Sequence, residues 1–363
     1  MKLLKVKSKV RDYTVEFKEA FSEIKADSEV QSSYFIVDKN VYDLYREDFD
    51  LLGSSFLQSC YFIDALECNK NILYAEKLIQ DLLKNGIKRN SVLIAIGGGI
   101  TQDLCCFIAT VLFRGVEWKF YPTTLLAQCD SCVGSKSSIN VGSYKNQIGS
   151  FYPPSKIIID SNFIKTLEVD DVLSGLGEAI KVHLLDPISG MNDLIFQYYD
   201  GAKNNAGFLS SLIYSSLVIK KNIVEIDEFD KEFRNIMNYG HTFGHAIESV
   251  TNYKIPHGIA VTLGMGLANH ISMKLGLLSK KEHDKMKVLI RKNSEGHSFT
   301  LKSREEDYWS ALRRDKKNVD DKIACILTDG IGKMRKVPLD LNAQAKKWIS
   351  DYFVGENESG NED

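Results

Sequence analysis

The sequence predicts an α/β protein, with an N-terminal Rossmann-like parallel sheet followed by a mainly helical half. Short apolar runs alternate with helical patterns up to about residue 165, as in parallel sheets whose strands are joined by helices. Strand patterns almost vanish beyond that point. Because 363 residues exceed the usual size of one core, we expect an α/β domain over residues 1–165, a helical domain over 166–354 and a disordered polar tail over 355–363.

The individual elements follow from their own patterns. Apolar runs of strand length predict strands at 34–37, 91–96, 118–124 and 156–160. Helical spacing of apolar residues predicts helices in "NILYAEKLIQDLLKNG" (71–86) and "ITQDLCCFIATVLF" (100–113). In the second half helical periodicity dominates, and "KIACILTDGIGKMRKV" (322–337) predicts a late β-hairpin.

The composition is that of an ordinary globular protein. Hydrophobic residues make up 44% of the chain and charged residues 26%. A formal net charge of −2 argues against a nucleic-acid scaffold, which normally presents a basic face. No run of about 18 apolar residues occurs, so no membrane span is expected, and charges interrupt the N-terminal apolar residues, which argues against a signal peptide. The seven cysteines are interpreted as reduced thiols of a cytoplasmic protein, with Cys129 and Cys132 as buried small residues.

Three glycines separate the second predicted strand from the following helix. Backbone at Gly97, Gly98 and Gly99 can approach a diphosphate closely, and the N–H groups that begin a helix favour negative charge. The spacing is not that of the usual dinucleotide fingerprint, so a tight structural turn remains the alternative. Thr123 and Thr124 end another strand and would form a polar wall for a cofactor at the same sheet edge.

The stretch at 130–154 is long, polar and rich in glycine. It contains Asp130, Lys136, Lys145 and Asn146, and long loops inside compact domains tend to be functional. A solvated surface loop is the alternative for either lysine. With Arg114 just before it, such a cluster would suit a phosphorylated or carboxylated substrate.

Histidines and a glutamate in the helical half suggest a metal site. His241 and His245 lie one helical turn apart in "NYGHTFGHAIES". The residues alone favour this pair as ligands, with Glu178 or His257 as the third, because catalytic zinc sites use three such side chains. Lys181 lies one turn from Glu178. The alternative is a group of hydrogen-bonded polar residues lining a cleft.

The motifs together resemble those of the 3-dehydroquinate synthase family of sugar phosphate cyclases. "GGGITQD", "PTTLLAQCDSCVGSK", "YKNQIGSFYPP", "GEAIK", "RNIMNYGHTFGHAIE" and "HGIAV" occur in the family's order, and the resemblance spans about residues 34 to 340. It implies the dehydroquinate synthase-like fold, NAD, a divalent metal (zinc or cobalt), a small phosphorylated sugar-acid substrate and a homodimer.

The resemblance also implies a role for each matching residue. The metal ligands become Glu178, His241 and His257, which moves His245 from the metal to the substrate and its leaving phosphate. The other implied substrate residues are Asp130, Lys136, Asn146, Lys181, Lys220, Arg234, Asn238 and, from the neighbouring subunit, Arg114; Lys316 or Lys317 would also bind anion. The implied cofactor residues are Asp38, Glu67, Lys70, Gly97, Gly98, Gly99, Ile100, Thr101, Gln102, Asp103, Thr123, Thr124, Lys136, Lys145, Phe163 and Thr166.

The activity implied is conversion of 3-deoxy-arabino-heptulosonate 7-phosphate to 3-dehydroquinate and phosphate. It proceeds by transient oxidation with NAD, phosphate elimination, reduction and an intramolecular aldol closure. Retention of Lys220, Arg234 and Asn238 favours this acidic substrate.

The chain departs from the family in "ALECNK", which keeps only Glu67 and Lys70 of the usual pattern, and at Ile259, where the family has a glutamate two residues after His257. The second change predicts that a carboxylate orienting His257 is missing. The alternatives are a cyclase for an amino-substituted or sedoheptulose 7-phosphate substrate, a metal- and NAD-dependent alcohol dehydrogenase, and a binding protein without activity.

Overall fold

The computed structural model describes residues 2–142, 144–202, 206–313 and 322–358, which form two compact units. The first unit comprises Met1–Leu167 and Ile223–Phe229, and the second comprises Glu168–Asn222 and Asp230–Asp363. The later segment joins the first unit through Glu228, whose carboxylate accepts hydrogen bonds of 2.7 Å from the Ser8 hydroxyl and from the Lys9 backbone N–H. Sequence patterns contain no sign of this return of the chain.

A seven-stranded sheet forms the centre of the first unit. The strands are β1 (Leu3–Val6), β2 (Tyr13–Phe17), β3 (Ser33–Asp38), β4 (Cys60–Ile63), β5 (Val92–Gly97), β6 (Glu117–Pro122) and β9 (Lys156–Ile159). Their order in the sheet is β1-β2-β9-β6-β5-β3-β4, with β1 antiparallel to β2 and all other neighbours parallel. The expected parallel α/β class is confirmed.

The core of this unit lies on both faces of the central strands. Phe35 of β3 and Ile94 of β5 are fully buried on one face, together with Phe49. Ile36 and Ala95, which follow them along the strands and point to the opposite face, are also fully buried. Burial on both faces explains why these strands appear in the sequence as continuous apolar runs. The helices around the sheet are α1 (Ala20–Ser28), α2 (Lys39–Leu44), α3 (Arg46–Asp50), α4 (Ser54–Gln58), α5 (Ile72–Lys84) and α6 (Gly99–Val111).

The polar stretch expected to be a loop contains a β-hairpin. Strands β7 (Lys136–Val141) and β8 (Tyr144–Phe151) pair antiparallel, with Lys136 opposite Phe151 and an irregularity between Ile139 and Val141. The loop prediction is therefore wrong for this segment. The hairpin escaped detection because β8 is largely exposed and polar, so it lacks the apolar alternation of a half-buried strand.

The second unit is mainly helical, as expected. Its helices are α7 (Val169–Leu185), α8 (Leu194–Ala202), α9 (Ala206–Ile226, whose last turn belongs to the first unit), α10 (His241–Val250), α11 (His257–Lys274), α12 (Lys280–Asn293), α13 (Glu305–Arg313) and α14 (Ala343–Glu358). Strands β10 (Lys322–Thr328) and β11 (Met334–Asp340) form the predicted late hairpin. None of the described helices is long and apolar enough to cross a membrane.

The polar end of the chain is partly helical. Helix α14 continues to Glu358, so the first four residues of the tail expected to be disordered, 355–358, are helical. The rest of that tail, 359–363, and the candidate anion-binding residues Lys316 and Lys317 lie outside the described residues.

Two glycines bring α7 and α11 into backbone contact. A Cβ atom added at Gly177 would lie 2.2 Å from the Gly258 carbonyl oxygen, and one added at Gly258 would lie 1.8 Å from the Ser174 carbonyl oxygen. Neither position has room for a side chain. The contact holds Glu178, next to Gly177, against His257, next to Gly258.

His183 on α7 predicts a pH dependence of stability. The side chain is fully buried, with Nδ1 2.8 Å from the Ala179 carbonyl oxygen and Nε2 2.9 Å from the Ser215 hydroxyl. Burial lowers its pKa from 6.5 to about 4. Between these values the unfolded chain binds a proton that the folded chain does not, so stability falls as the pH falls through this window, by on the order of 3 kcal/mol in total.

His183→Gln is therefore expected to flatten the dependence of the unfolding free energy on pH between about pH 6.5 and pH 4. Urea denaturation in the presence of a chelator measures it. His297→Gln is the matched control, because His297 lies near the surface beside Asp170, 3.2 Å away. Equal pH slopes for the parent protein and the His183 variant would contradict the prediction.

Candidate functional site

The sheet order places a topological switch point at the carboxyl ends of the adjacent strands β3 and β5. The connection that leaves β3 leads to β4 on one side, and the connection that leaves β5 leads to β6 on the other, so the two run in opposite directions. Ligands of open α/β sheets bind at such a switch point. Here the two strand ends carry Asp38 and Gly97, and a Cβ atom at Gly97 would lie only 3.1 Å from the Asp38 Cβ.

The glycine turn fits closely against two predicted cofactor residues. A Cβ atom at Gly97 would lie 2.7 Å from the Thr101 Cβ, and one at Gly98 would lie 2.9 Å from the Thr124 Cγ2. The Thr123 N–H donates to the Gly97 carbonyl oxygen at 2.9 Å. Since α6 begins at Gly99, its first N–H groups lie at this edge. Bare backbone at a helix N-terminus suits a diphosphate, so the residues present fit a dinucleotide.

Lys70 joins two residues that the sequence assigned to different ligands. Its buried ammonium group lies 3.0 Å from Asp103 Oδ2 and donates a 2.8 Å hydrogen bond to Asn146 Oδ1. Burial raises the pKa of Asp103, and the charge of Lys70 opposes that shift. Asp103 and Lys70 are predicted cofactor residues, whereas Asn146 is a predicted substrate residue. One cation therefore connects helix α6 to the β7–β8 hairpin.

Asn140 supports the same network and was missed by the sequence analysis. Its Oδ1 accepts a 2.8 Å hydrogen bond from the Asn146 N–H, and its Nδ2 donates a 2.9 Å hydrogen bond to Glu67 Oε1. The same oxygen of Glu67 lies 3.6 Å from Lys145 Nζ. Asn146 has a left-handed backbone, with φ of 55°, which asparagine adopts more readily than most residues. The one available signal for Asn140 was its place in a polar stretch.

The remaining predicted residues of the first unit differ in exposure. Phe163 packs edge-on against Tyr45, with ring centroids 5.2 Å apart, and Tyr45 also hydrogen-bonds the Thr166 hydroxyl at 3.1 Å. Asp130 is buried in the helical turn Ala127–Ser131. Gln102 is buried, Ile100 is partly exposed, and Lys136 and Arg114 are exposed.

In the second unit, three helices bring four predicted residues together. The buried Glu178 of α7 places its Oε1 3.6 Å from His241 Nε2 of α10 and 3.4 Å from His257 Nε2 of α11. The ligand nitrogens of His241, His245 and His257 also lie within 4.8 Å of one another. A carboxylate oxygen and imidazole nitrogens are the donors that zinc and cobalt prefer. The residues present therefore fit a divalent metal.

The carboxylates around His257 favour positive charge. Burial opposes protonation of this imidazole, but hydrogen bonding to Glu178 and Glu248 outweighs burial and raises the pKa of His257 to about 10. His257 Nδ1 lies 3.2 Å from both carboxylate oxygens of Glu248. The expectation that Ile259 leaves His257 without an orienting carboxylate is therefore wrong. Glu248 was missed because its distance from His257 in the fold is not visible in the sequence.

Predicted substrate residues of the second unit are placed on the elements that carry this cluster or lead to it. Lys181 forms an ion pair with Glu178 on α7. The short turn Phe233–Asn238 contains Arg234 and Asn238, and it enters α10 through Gly240, whose φ of 79° suits glycine. Arg234 and Lys220 are 8% and 6% exposed, so both cations are buried in the second unit.

Comparisons with known proteins match most of the chain. The family model described as 3-dehydroquinate synthase N-terminal matches residues 60–174, and the one described as 3-dehydroquinate synthase C-terminal matches residues 175–318. The 3-dehydroquinate synthase of Clostridium tetani is 36% identical over 84% of this chain and 81% of that protein. That of Dictyoglomus thermophilum is 36% identical over 89% of both chains.

Solved structures share the fold. The 2-deoxy-scyllo-inosose synthase complexed with carbaglucose-6-phosphate, NAD+ and Co2+ has a TM-score of 0.83 at 24% identity, covering 97% of this chain and 99% of that one. ValA, the 2-epi-5-epi-valiolone synthase of Streptomyces hygroscopicus with NAD+ and Zn2+ bound, has a TM-score of 0.82 at 22% identity, with the same coverage. Glycerol dehydrogenase of Schizosaccharomyces pombe has a TM-score of 0.60 at 16% identity, covering 96% and 92%.

The sequence matches go beyond a shared fold. The two family models together cover residues 60–318 without a gap, and the relatives match at 36% identity over more than four fifths of the chain. The implied resemblance is thus confirmed by both halves of the chain, and the protein belongs to the 3-dehydroquinate synthase family.

Proposed function

We propose that this protein is a 3-dehydroquinate synthase that converts 3-deoxy-arabino-heptulosonate 7-phosphate to 3-dehydroquinate and phosphate, a step of the shikimate pathway. The observation that carries the proposal is the cluster of Glu178, His241 and His257 in a chain of this family, with one carboxylate oxygen beside both imidazole Nε2 atoms. Relatives of that name, at 36% identity over most of the chain, support the same activity.

Glu178, His241 and His257 would hold the divalent metal ion. When bound, the ion supplies Lewis acidity to the reacting oxygens of the substrate. Lys181, paired with Glu178, keeps this carboxylate in place. His245 is exposed, and in this ligand set its imidazole remains available to hold or transfer a proton near the leaving phosphate.

The switch point at the carboxyl ends of β3 and β5 would bind NAD. When bound, NAD supplies a hydride acceptor that is regenerated within each turnover. The backbone of Gly97 to Gly99 would hold the diphosphate, with Thr123 and Thr124 as the adjoining polar wall. Asp38 lies where burial raises its carboxyl pKa, and Lys70 holds Asp103 at the start of α6.

Cations of this chain would orient the two anionic ends of the substrate. Arg234 presents a planar fork of donors that matches a carboxylate, and Lys220 lies equally buried. Lys136, Asn146, Asp130 and Asn238 would complete the substrate contacts. Because both ends are held, ring closure becomes effectively unimolecular.

We also propose that the protein is a homodimer and lies in the cytoplasm. Arg114 is exposed, with a left-handed φ of 65°, in the turn that follows α6. An exposed cation in this position could reach outward to the phosphate site of a second subunit. Size-exclusion chromatography with light scattering tests the dimer.

Phosphate release from 3-deoxy-arabino-heptulosonate 7-phosphate, with NAD and zinc or cobalt, tests the activity. We expect metal-dependent release of phosphate and formation of 3-dehydroquinate, with no accumulation of NADH by absorbance. NADH rising in proportion to product would instead identify an alcohol dehydrogenase. Release from sedoheptulose 7-phosphate or an amino analogue, but not from the acid, would retain the chemistry and overturn the substrate. No turnover of any of these would favour a binding protein.

A further inference from the structure

We propose that Glu248 is a positioning residue that directs the Nε2 of His257 toward the metal. The inference rests on the proposed metal site. It concerns the orientation of the His257 ring, which is not determined by the identity of the three ligands.

The two nitrogens of the His257 ring face different carboxylates. Nδ1 lies 3.2 Å from both oxygens of Glu248, whereas Nε2 lies 3.4 Å from Glu178 Oε1. A carboxylate that accepts the Nδ1 proton leaves Nε2 as the nitrogen that would give up its proton to a metal ion. Nε2 faces Glu178, the side on which His241 Nε2 also lies. Both ring orientation and tautomer are therefore set from the side away from Glu178.

Position 259 cannot supply this contact in the present chain. Ile259 has no polar side-chain atom and is fully buried. Glu248 is only 9% exposed and comes from the last turns of α10, next to the start of α11 where His257 lies. A buried carboxylate that faces a ligand histidine is the usual partner in such sites, and its removal typically lowers metal affinity by about 10- to 100-fold.

The contact with His257 also compensates for the burial of the Glu248 carboxylate. Burying a carboxylate is unfavourable unless it is paired with a charge or hydrogen-bonded. At Glu248 the His257 ring supplies a hydrogen-bond donor to both oxygens. A glutamine at this position keeps the size and one acceptor oxygen but loses the negative charge, so it isolates the electrostatic part of the contact.

The test is a double-mutant cycle on metal affinity. Zinc and cobalt dissociation constants would be measured by competition with a chromophoric chelator for the parent protein, Glu248→Gln, His257→Ala and the double variant. We expect Glu248→Gln to weaken binding by about 10- to 100-fold in the parent and to have no further effect once His257 is absent. The visible spectrum of the cobalt-loaded single variant should change as well, because the ring orientation sets the ligand field.

Glu305→Gln, an exposed carboxylate at the start of α13, is the matched control and should bind metal like the parent. Thermal unfolding of every variant in the presence of a chelator shows whether the metal-free variant is still folded. Unchanged affinity of Glu248→Gln, or an equal loss with and without His257, overturns the inference. If His257→Ala itself binds metal normally, the proposed ligand set fails instead, and the two failures are thereby distinguished.

Discussion

His257→Ala is expected to lower the affinity for zinc or cobalt by about 10²- to 10³-fold and to abolish turnover at ordinary metal concentrations. Structural zinc sites with four ligands bind with about 10–16 kcal/mol, or about 2.5–4 kcal/mol for each ligand, which corresponds to this loss. The expectation follows from the place of His257 Nε2, 3.4 Å from the carboxylate oxygen that also faces His241. Metal content after dialysis against a buffered metal solution measures it.

Two further variants decide between the ligand sets. If Glu178, His241 and His257 hold the metal, His245→Ala should retain metal and lose turnover. If the helix pair His241 and His245 binds it, His245→Ala should lose metal. His297→Ala, a histidine beside Asp170 and outside the cluster, controls for the loss of an imidazole. Full metal occupancy of His257→Ala would remove this residue from the ligand set.

Arg234→Leu is expected to reduce kcat/KM for the acid substrate by about 10²- to 10³-fold. Removing one partner of a buried, hydrogen-bonded ion pair costs about 2–5 kcal/mol, and leucine leaves the substrate carboxylate without a cation. Arg234 is only 8% exposed, so water cannot easily replace its donors. Phosphate release at several substrate concentrations measures the change in both kcat and KM.

The chain offers controls for this variant. Arg234→Lys keeps the charge but loses the fork of donors, so we expect an intermediate loss. Arg304→Leu, at an exposed arginine, should behave as the parent. Retained metal and NAD binding by Arg234→Leu would show that the rest of the site is intact. Unchanged turnover of the acid by Arg234→Leu would refute the assignment of Arg234 to the carboxylate.

Much of the fold was predictable because its central strands are buried on both faces. β3 and β5 are continuous apolar runs for this reason, and their bounds differ from the predicted ones by only one residue at each end. The β7–β8 hairpin was not predictable, because an exposed and polar strand carries no apolar pattern. β1 and β2 also escaped notice, since short strands with partly exposed polar residues resemble irregular chain.

The candidate site was predictable in its residue types and only partly in its geometry. The glycine turn after β5 could be assigned to an anion because a strand, bare backbone and a helix follow one another directly. The role of Lys70 as a link between Asp103 and Asn146 could not, since its partners lie 33 and 76 residues further along the chain. Glu248 was missed although it is only nine residues from His257, because the two lie on different helices, α10 and α11, and their approach depends on how these helices pack.

By itself, the sequence determined the α/β class, the glycine turn and the position of His241 and His245 on one helix face, because these depend on periodicity and on neighbours within one turn. Only the tertiary structure decided that the Glu178 carboxylate faces both His241 and His257, and that the Glu248 carboxylate faces His257. The physical reason is that these side chains lie on three helices, and α7 meets α11 at Gly177 and Gly258, where the backbones touch. The spacing of residues along the sequence does not indicate such a contact between helices.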